Sequence, residues 1–145
     1  MNLFKKLKFF FGFFALNEFE ERLILLLKEN ISDKYIKVIN SQLSKFNKVD
    51  RVVFQSDELP FGHTSFYWTK FGKARFDFPL KFPMEKESEE LATVDVFCSD
   101  GNLIKVSYVL VRGFLFTIKY RSKIKVFQPR SEYEFSNFKI HKSLN

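Results

Sequence analysis

The chain has 145 residues, 46% of them hydrophobic and 28% charged, with a formal net charge of +7. That length suits one domain burying roughly two thirds of its unfolded surface, so neither a disulfide nor a metal is needed to hold it. The single cysteine, Cys98, excludes a disulfide framework and fits a reducing, cytoplasmic setting. Charge is uneven: residues 17–100 hold 12 basic and 15 acidic side chains, whereas residues 101–145 hold 9 basic and 2 acidic. Such asymmetry points to a polyanion or an acidic partner.

Residues 3–16 (LFKKLKFFFGFFAL) place lysines before an apolar run. The run at 9–16 is too short to span a bilayer, which takes about 20 residues, and no small-residue cleavage site follows it. On a helix, Leu3, Phe4, Leu7, Phe10, Phe11 and Phe14 form one stripe, with Lys5 and Lys8 off it. Residues 1–16 therefore read as an N-terminal extension or an extra helix docked on the body. The other destination is a membrane surface or a partner, because phenylalanine beside lysine suits an interface.

Residues 17–47 predict a helical hairpin. Asn17 is the N-cap of the first helix, and Glu20 stands at capping-box spacing from it. Phe19, Leu23, Leu26 and Leu27 repeat at helical spacing to about Lys28, and Ile24 and Leu25 widen the stripe. Ser32 caps the second helix, where Ile36, Ile39, Leu43 and Phe46 make the stripe. Residues 51–55 (RVVFQ) read as a strand, 57–64 as a loop punctuated by Pro60 and Gly62, and 65–70 (SFYWTK) as a second strand. Phe71-Gly72-Lys73 is a turn. In 75–83 (RFDFPLKFP), Phe76, Phe78, Leu80 and Phe82 alternate with Asp77, Pro79, Lys81 and Pro83. Proline cannot donate to a ladder, so this is an edge strand or an extended segment laid over the core. Residues 85–90 (EKESEE) read as a solvated acidic loop or one turn of helix leading into the next strands.

The clearest pattern is a three-stranded antiparallel meander over 91–121, with reversals at Asp100-Gly101 and Arg112-Gly113. With two-residue turns at both, Phe97 faces Ile104, Asp95 faces Val106 and Thr93 faces Tyr108. Likewise Val111 faces Phe114, Val109 faces Phe116, Tyr108 faces Thr117 and Val106 faces Lys119. One face then carries Ala92, Val94, Val96, Cys98, Leu103, Val109, Val111, Phe114, Phe116, Ile118 and Tyr120, interrupted by Lys105 and Ser107. This is the expected core face, covered by the helical hairpin. The other carries Leu91, Thr93, Asp95, Phe97, Ile104, Val106, Tyr108, Leu110, Leu115, Thr117, Lys119 and Arg121. Beyond it, Lys119, Arg121, Lys123 and Lys125 line one side if the strand continues. From Gln128 onward the expectation is a loop with room for a short final strand, then a loose tail. The fold class is α+β: N-terminal helices on an antiparallel sheet of roughly five or six strands, with the sheet over 50–127 and a C-terminal tail over 128–145 of a single 1–145 domain.

Two histidines and one cysteine, far apart in sequence, give no zinc spacing. There is no glycine-rich phosphate loop and no Gly-x-Ser-x-Gly elbow, so no catalytic residue, metal ligand or cofactor is assigned. Asp57, Glu58, His63, Tyr67 and Trp68 make the best enzyme-like cluster, which reads more simply as a polar loop. The basic comb, with Tyr120, Tyr108 and Phe97 on the same sheet, offers a single-stranded nucleic-acid surface, although Tyr120 falls on the opposite face. The mixed face favours a protein partner instead. Phe97, Ile104, Val106 and Tyr108 would form its apolar centre, rimmed by Lys119, Arg121 and Asp95, with Lys123 and Lys125 as further partner-binding residues. The leading expectation is a non-catalytic protein-binding module, in concrete form a small bacterial inhibitor or immunity-type protein that occludes a partner. The alternatives are a nucleic-acid binder using the basic strand and a peripheral membrane protein held by residues 3–16.

The run Val111-Arg112-Gly113-Phe114-Leu115-Phe116-Thr117-Ile118-Lys119-Tyr120 resembles the closing hairpin of some small, uncharacterised bacterial single-domain α+β proteins. Those proteins run Val-x-Gly-x-Leu-Phe-Ser-Ile-x-Phe after a strand and a glycine turn. Phe78-Pro79-Leu80-Lys81-Phe82-Pro83 and Ala92-Thr93-Val94 are similar to them as well. Here Thr117 and Tyr120 stand in place of Ser and Phe, and Arg112 in place of a turn-favouring Asn. The resemblance implies an α+β fold with a helical N-terminal part and a bacterial origin. It implies no activity and carries over no functional residue.

Overall fold

The computed structural model describes residues 3, 4, 7, 14–55, 60–123, 128, 129 and 132–144. Among the described residues, two helices, α1 (Glu18–Glu29) and α2 (Asp33–Lys45), run directly before the sheet. Asn17 caps α1 as expected. The Glu20 backbone N–H donates to Asn17 Oδ1 at 2.8 Å, and the Asn17 N–H donates to Glu20 Oε2 at 3.0 Å. These reciprocal bonds satisfy amide groups that a helix start leaves unpaired. Phe19, Leu23, Ile24 and Leu27 are buried, whereas Leu25 is exposed, so only Ile24 widens the apolar stripe.

The stripe of α2 is turned by one residue from the expected one. Tyr35, Val38, Ile39 and Gln42 are buried, and Ile36 and Leu43 are only half-buried. Two contacts hold that rotation. The Tyr35 ring stacks on Phe82, with centroids 5.3 Å apart and planes at 6°. The Gln42 side chain reaches three backbone groups of other segments. Neither contact is visible in a hydrophobic period, because Gln42 is polar and Phe82 is distant in sequence.

Six strands form one antiparallel sheet: β1 (Lys48–Gln55), β2 (Pro60–Tyr67), β5 (Ser88–Cys98), β6 (Leu103–Val111), β7 (Phe114–Ser122) and β8 (Tyr133–Ile140), in the order β1-β2-β7-β6-β5-β8. Between β2 and β5, β3 (Thr69–Lys70) and β4 (Lys73–Ala74) make a separate ribbon. The helices cover one face of the sheet, where Phe66, Val94, Val96, Val106, Tyr108 and Ile118 are buried. There the Tyr108 hydroxyl donates to the Leu23 carbonyl of α1 at 2.7 Å.

The meander forms, but β6 is turned over relative to the expected register. Phe97 pairs with Leu103 and Asp95 with Lys105, one residue away from the two-residue-turn alignment. The loop has three residues: the Cys98 N–H donates to the Asn102 carbonyl and the Gly101 N–H to the Cys98 carbonyl, each at 2.9 Å. Gly101 has φ 86°, whereas Asp100 is not at the positive φ that a type I′ turn demands. The reversal is thus a turn closed by a left-handed glycine. At the other end, Arg112 and Gly113 do form a two-residue turn, with φ 50° and 85°, and Val111 faces Phe114 as expected. However, Leu110 pairs with Leu115 and Val109 with Thr117, which leaves Phe116 as an extra residue in β7.

Each slip of one residue exchanges the faces. Ala92, Val94, Val96, Cys98, Ile118 and Tyr120 remain on the covered side. From β6, Ile104, Val106 and Tyr108 are buried at 0%, 1% and 0% exposure, in place of Leu103, Lys105 and Ser107. The reason is desolvation. The two-residue alignment would bury an unpaired Lys105 ammonium, whose burial costs several kcal/mol; the observed register sends it into water.

A Cβ on Gly113 would lie 2.9 Å from both Lys81 Cβ and the Phe82 carbonyl oxygen, and its φ is +85°. Gly113→Ala is expected to cost about 2 kcal/mol or more, from strain at positive φ and overpacking. Gly101→Ala is the control, because Gly101 has φ +86° and nothing within 4 Å of its Cβ position. Equal shifts of the denaturant midpoint for the two variants would show that crowding contributes nothing.

Other boundaries also move. β2 takes in residues 60–64, which had read as loop. The 75–83 segment joins neither sheet and lies over the core edge: Phe78 and Phe82 are buried, while Phe76 and Leu80 are exposed. Phe78 stacks on Phe114 at 4.8 Å, and the Phe82 N–H bonds the Gly113 carbonyl at 2.8 Å. The sheet extends beyond the expected 50–127, since β8 pairs with β5 as an edge strand. The end of the chain is docked, not loose: His141 N–H bonds the Leu91 carbonyl at 2.9 Å and Lys142 pairs with Glu89.

Candidate functional site

The sheet face turned away from the helices carries two cross-strand rows. The first runs Phe61, Arg121, Lys105, Asp95; the second runs His63, Lys119, Ser107, Thr93, Lys139. Most of these side chains, with Glu90 and Asn137, line an open depression of about 670 Å³. Lys105, Lys119, Arg121 and Lys139 are exposed in it.

The charges in this depression are arranged at a cost. Arg121 stands directly opposite Lys105, and like charges in that position repel. Lys119 is in the adjacent row. None of the salt bridges among the described residues involves Lys105, Lys119, Arg121 or Lys139. The Arg121 guanidinium lies over the Phe61 ring, 4.7 Å from its centroid. Asp95, across from Lys105, accepts from Asn137 Nδ2 at 2.9 Å. Thr93 Oγ1 and His141 Nε2 are 2.6 Å apart.

His63 registers this field. Burial lowers its imidazole below the ordinary 6.5, the Lys119 ammonium lowers it further, and Asp50 opposes both. The unfolded chain therefore binds the proton first as pH falls. The stability that neutral His63 contributes is present above about pH 6.5 and is lost as the pH falls through its folded value. His63→Gln is expected to flatten the dependence of urea stability on pH between about 7 and 5. A slope left unchanged by the substitution would show that His63 does not respond to this field.

The structure divides the site residues expected from sequence. Lys119 and Arg121 lie in the depression. Lys123 is exposed just past β7, which ends at Ser122, and Lys125 lies outside the described residues. Phe97 is 47% exposed, but it borders a different depression, shared with Arg22, Cys98, Glu132, Tyr133 and Glu134. Ile104, Val106 and Tyr108 are under the helices and present nothing to a partner, because β6 is turned over. The enzyme-like cluster does not assemble among the described residues. His63 sits within β2, Tyr67 packs on Phe116 at 5.4 Å and Trp68 on Phe78 at 5.2 Å, while Asp57 and Glu58 lie outside the described residues.

Sequence reading missed Lys105, Lys139 and Phe61. Lys105 left a signal, since a lysine on a supposed core face is itself a sign of wrong register. Lys139 left none, because its place depends on β8 pairing with β5. Cys98 is buried on the covered side; burial first, then Asp100, raises its thiol above the ordinary value, which keeps it protonated. Among the described residues, no three His, Cys, Asp or Glu side chains are grouped to hold a metal, and no helix is long and apolar enough to cross a membrane. Comparison of the chain with family models, curated proteins and solved structures finds no match.

Proposed function

We propose that this chain is a non-catalytic, cytoplasmic protein-binding module that docks an acidic partner surface on the open face of its sheet. The observation that carries this reading is the set of three neighbouring cations, Arg121, Lys105 and Lys119, exposed and without a salt bridge among the described residues. Holding Arg121 opposite Lys105 opposes folding, and carboxylates from a partner would reverse that repulsion. Asp95 and Glu90 line the same depression. They repel a phosphate backbone but suit a protein surface that carries both signs of charge. A small inhibitor or immunity-type protein that covers its partner's site is the concrete form of the proposal. Cys98, buried and held protonated, is compatible with the cytoplasm.

A second reading, single-stranded nucleic acid, rests on Phe61 beside Arg121 as a stacking platform. The two are separated by one experiment. The triple variant Lys105→Glu, Lys119→Glu, Arg121→Glu and the wild type are compared as bait for proteins of the native cell and in oligonucleotide binding at low salt. The proposal expects a partner protein that associates roughly 10- to 1000-fold more slowly with the triple variant, whereas Phe97→Ala leaves that association intact. Oligonucleotide binding with a steep salt dependence, abolished in the triple variant, would replace it with the second reading.

A further inference from the structure

We propose that the β3–β4 ribbon, together with the N-terminal segment, holds this protein on an anionic lipid surface, with Phe71 as the inserting side chain. Among the described residues, three other than glycine have positive φ: Phe71 (52°), Arg112 (50°) and Asn137 (54°). Asparagine tolerates that region, and Asn137 also donates to Asp95. Arg112 is held by Glu87 at 2.9 Å and lies over Phe76 at 4.6 Å. Phe71 has no comparable compensation. It is 94% exposed, and among the described residues its ring meets only the Lys70 ammonium, at 5.8 Å. A bulky residue at positive φ is strained, and an exposed ring gives up the free energy of its burial. Neither cost helps folding, since Asn-Gly makes the same turn without them. Strain held together with exposure at a ribbon tip points to a contact outside the molecule.

The surroundings define the chemistry of that contact. Lys70 and Lys73 pair across the ribbon and flank Phe71, both exposed. Phe14, where the N-terminal segment joins the body, lies at the same corner. The Phe14 N–H donates to the Asn47 carbonyl at 3.1 Å, and the Asn47 side chain bonds the Thr69 carbonyl at 2.7 Å and its N–H at 2.9 Å, at the base of the ribbon. In that segment Leu3, Phe4 and Leu7 are helical and 74%, 65% and 47% exposed. Lys5, Lys6 and Lys8 are interleaved with them in sequence. Apolar side chains that enter the acyl boundary, beside lysines that stay at the phosphate level, are what an interfacial contact requires. One such anchor binds weakly and two bind stably. A protein pocket takes one projecting ring in a set geometry, whereas a bilayer accepts two projections without a fixed relation between them. The contact uses none of the open-face cations, so the two surfaces are tested separately.

The experiment is co-sedimentation of the full chain with vesicles of phosphatidylcholine alone or mixed with phosphatidylserine. The expected result is association with the anionic vesicles, weakened by salt and nearly absent on the neutral ones. Phe71→Ala, which removes the ring and leaves the fold intact by circular dichroism, should lower partitioning roughly tenfold. The pair Lys70→Glu and Lys73→Glu should lower it at least as far. Phe71→Trp should show a blue shift of emission on the anionic vesicles. No association with anionic vesicles overturns the proposal, and so does Phe71→Ala partitioning like the wild type.

Discussion

Glu20→Ala is expected to lower stability by about 3–5 kcal/mol, the range for removing one partner of a buried ion pair. Glu20 has no exposed surface, and its carboxylate is fully occupied. Its Oε1 accepts from Arg51 Nε at 2.7 Å and Thr64 Oγ1 at 2.9 Å; its Oε2 accepts from Arg51 Nη2 at 2.7 Å and the Asn17 N–H at 3.0 Å. The network continues to Tyr120, whose hydroxyl is 3.1 Å from Thr64 Oγ1. Burial first, then the Glu20 charge, push the Tyr120 phenol up, which keeps it neutral. Alanine at position 20 removes the side-chain half of the α1 capping box, a counter-charge of Arg51 and the acceptor of Thr64 together. At roughly 3–4 °C per kcal/mol for a chain of this size, the melting midpoint should fall by about 10–20 °C. A double-mutant cycle with Arg51→Ala should return a coupling above about 1 kcal/mol. A Glu20→Ala protein that melts within a few degrees of wild type would show that the carboxylate does not organise this corner.

Gln42→Leu is the second large effect, expected at about 3 kcal/mol although it replaces a polar group by an apolar one in a core. Gln42 Nε2 donates to the Leu80 and Gly113 carbonyls, and its Oε1 accepts from the Leu115 N–H, all at 3.0 Å. One side chain on α2 thus binds the 75–83 segment, the β6–β7 turn and the start of β7. Leucine fills the volume but strands the Leu80 carbonyl and the Leu115 N–H, at about 1–3 kcal/mol for each unsatisfied group; the Gly113 carbonyl keeps its bond from Phe82. Urea denaturation followed by fluorescence reads the loss, because the single tryptophan, Trp68, packs on Phe78 in the same region. Amide exchange at Leu115 should quicken in parallel. A midpoint near that of wild type, with Leu115 still protected, would mean that water or a neighbour replaces the amide.

These two residues show why part of the fold was readable and part was not. The Asn17–Glu20 capping box is a local pattern of two residues at fixed spacing, and it forms as the spacing requires. Glu20 as the anchor of Arg51 and Thr64 was not readable, because those partners come from strands that only folding brings beside α1. The same holds for the open face. Lys119 and Arg121 read as cations on one side of β7, but the two-residue-turn register sets Val106 across from Lys119 where the structure has Ser107, and it does not reveal Lys105 across from Arg121. Short turns and a one-residue bulge decide between those sets, and each involves energies smaller than the burial it redirects.

Local chemistry in the sequence determined the two helices, the capped start of α1, the antiparallel meander and the α+β class. These follow from 3.6- and 2-residue periodicity, caps and glycine turns, which act over a few residues. Only the tertiary structure decided which side of β6 is buried, that α2 turns Gln42 inward, that β8 extends the sheet and that Phe71 stands exposed at the tip of its ribbon. Each of these depends on contacts between residues far apart in the chain, and no period or spacing encodes them. The physical arbiter was desolvation: Lys105 goes to water, and Glu20 and Gln42 go inside only with every polar atom bonded.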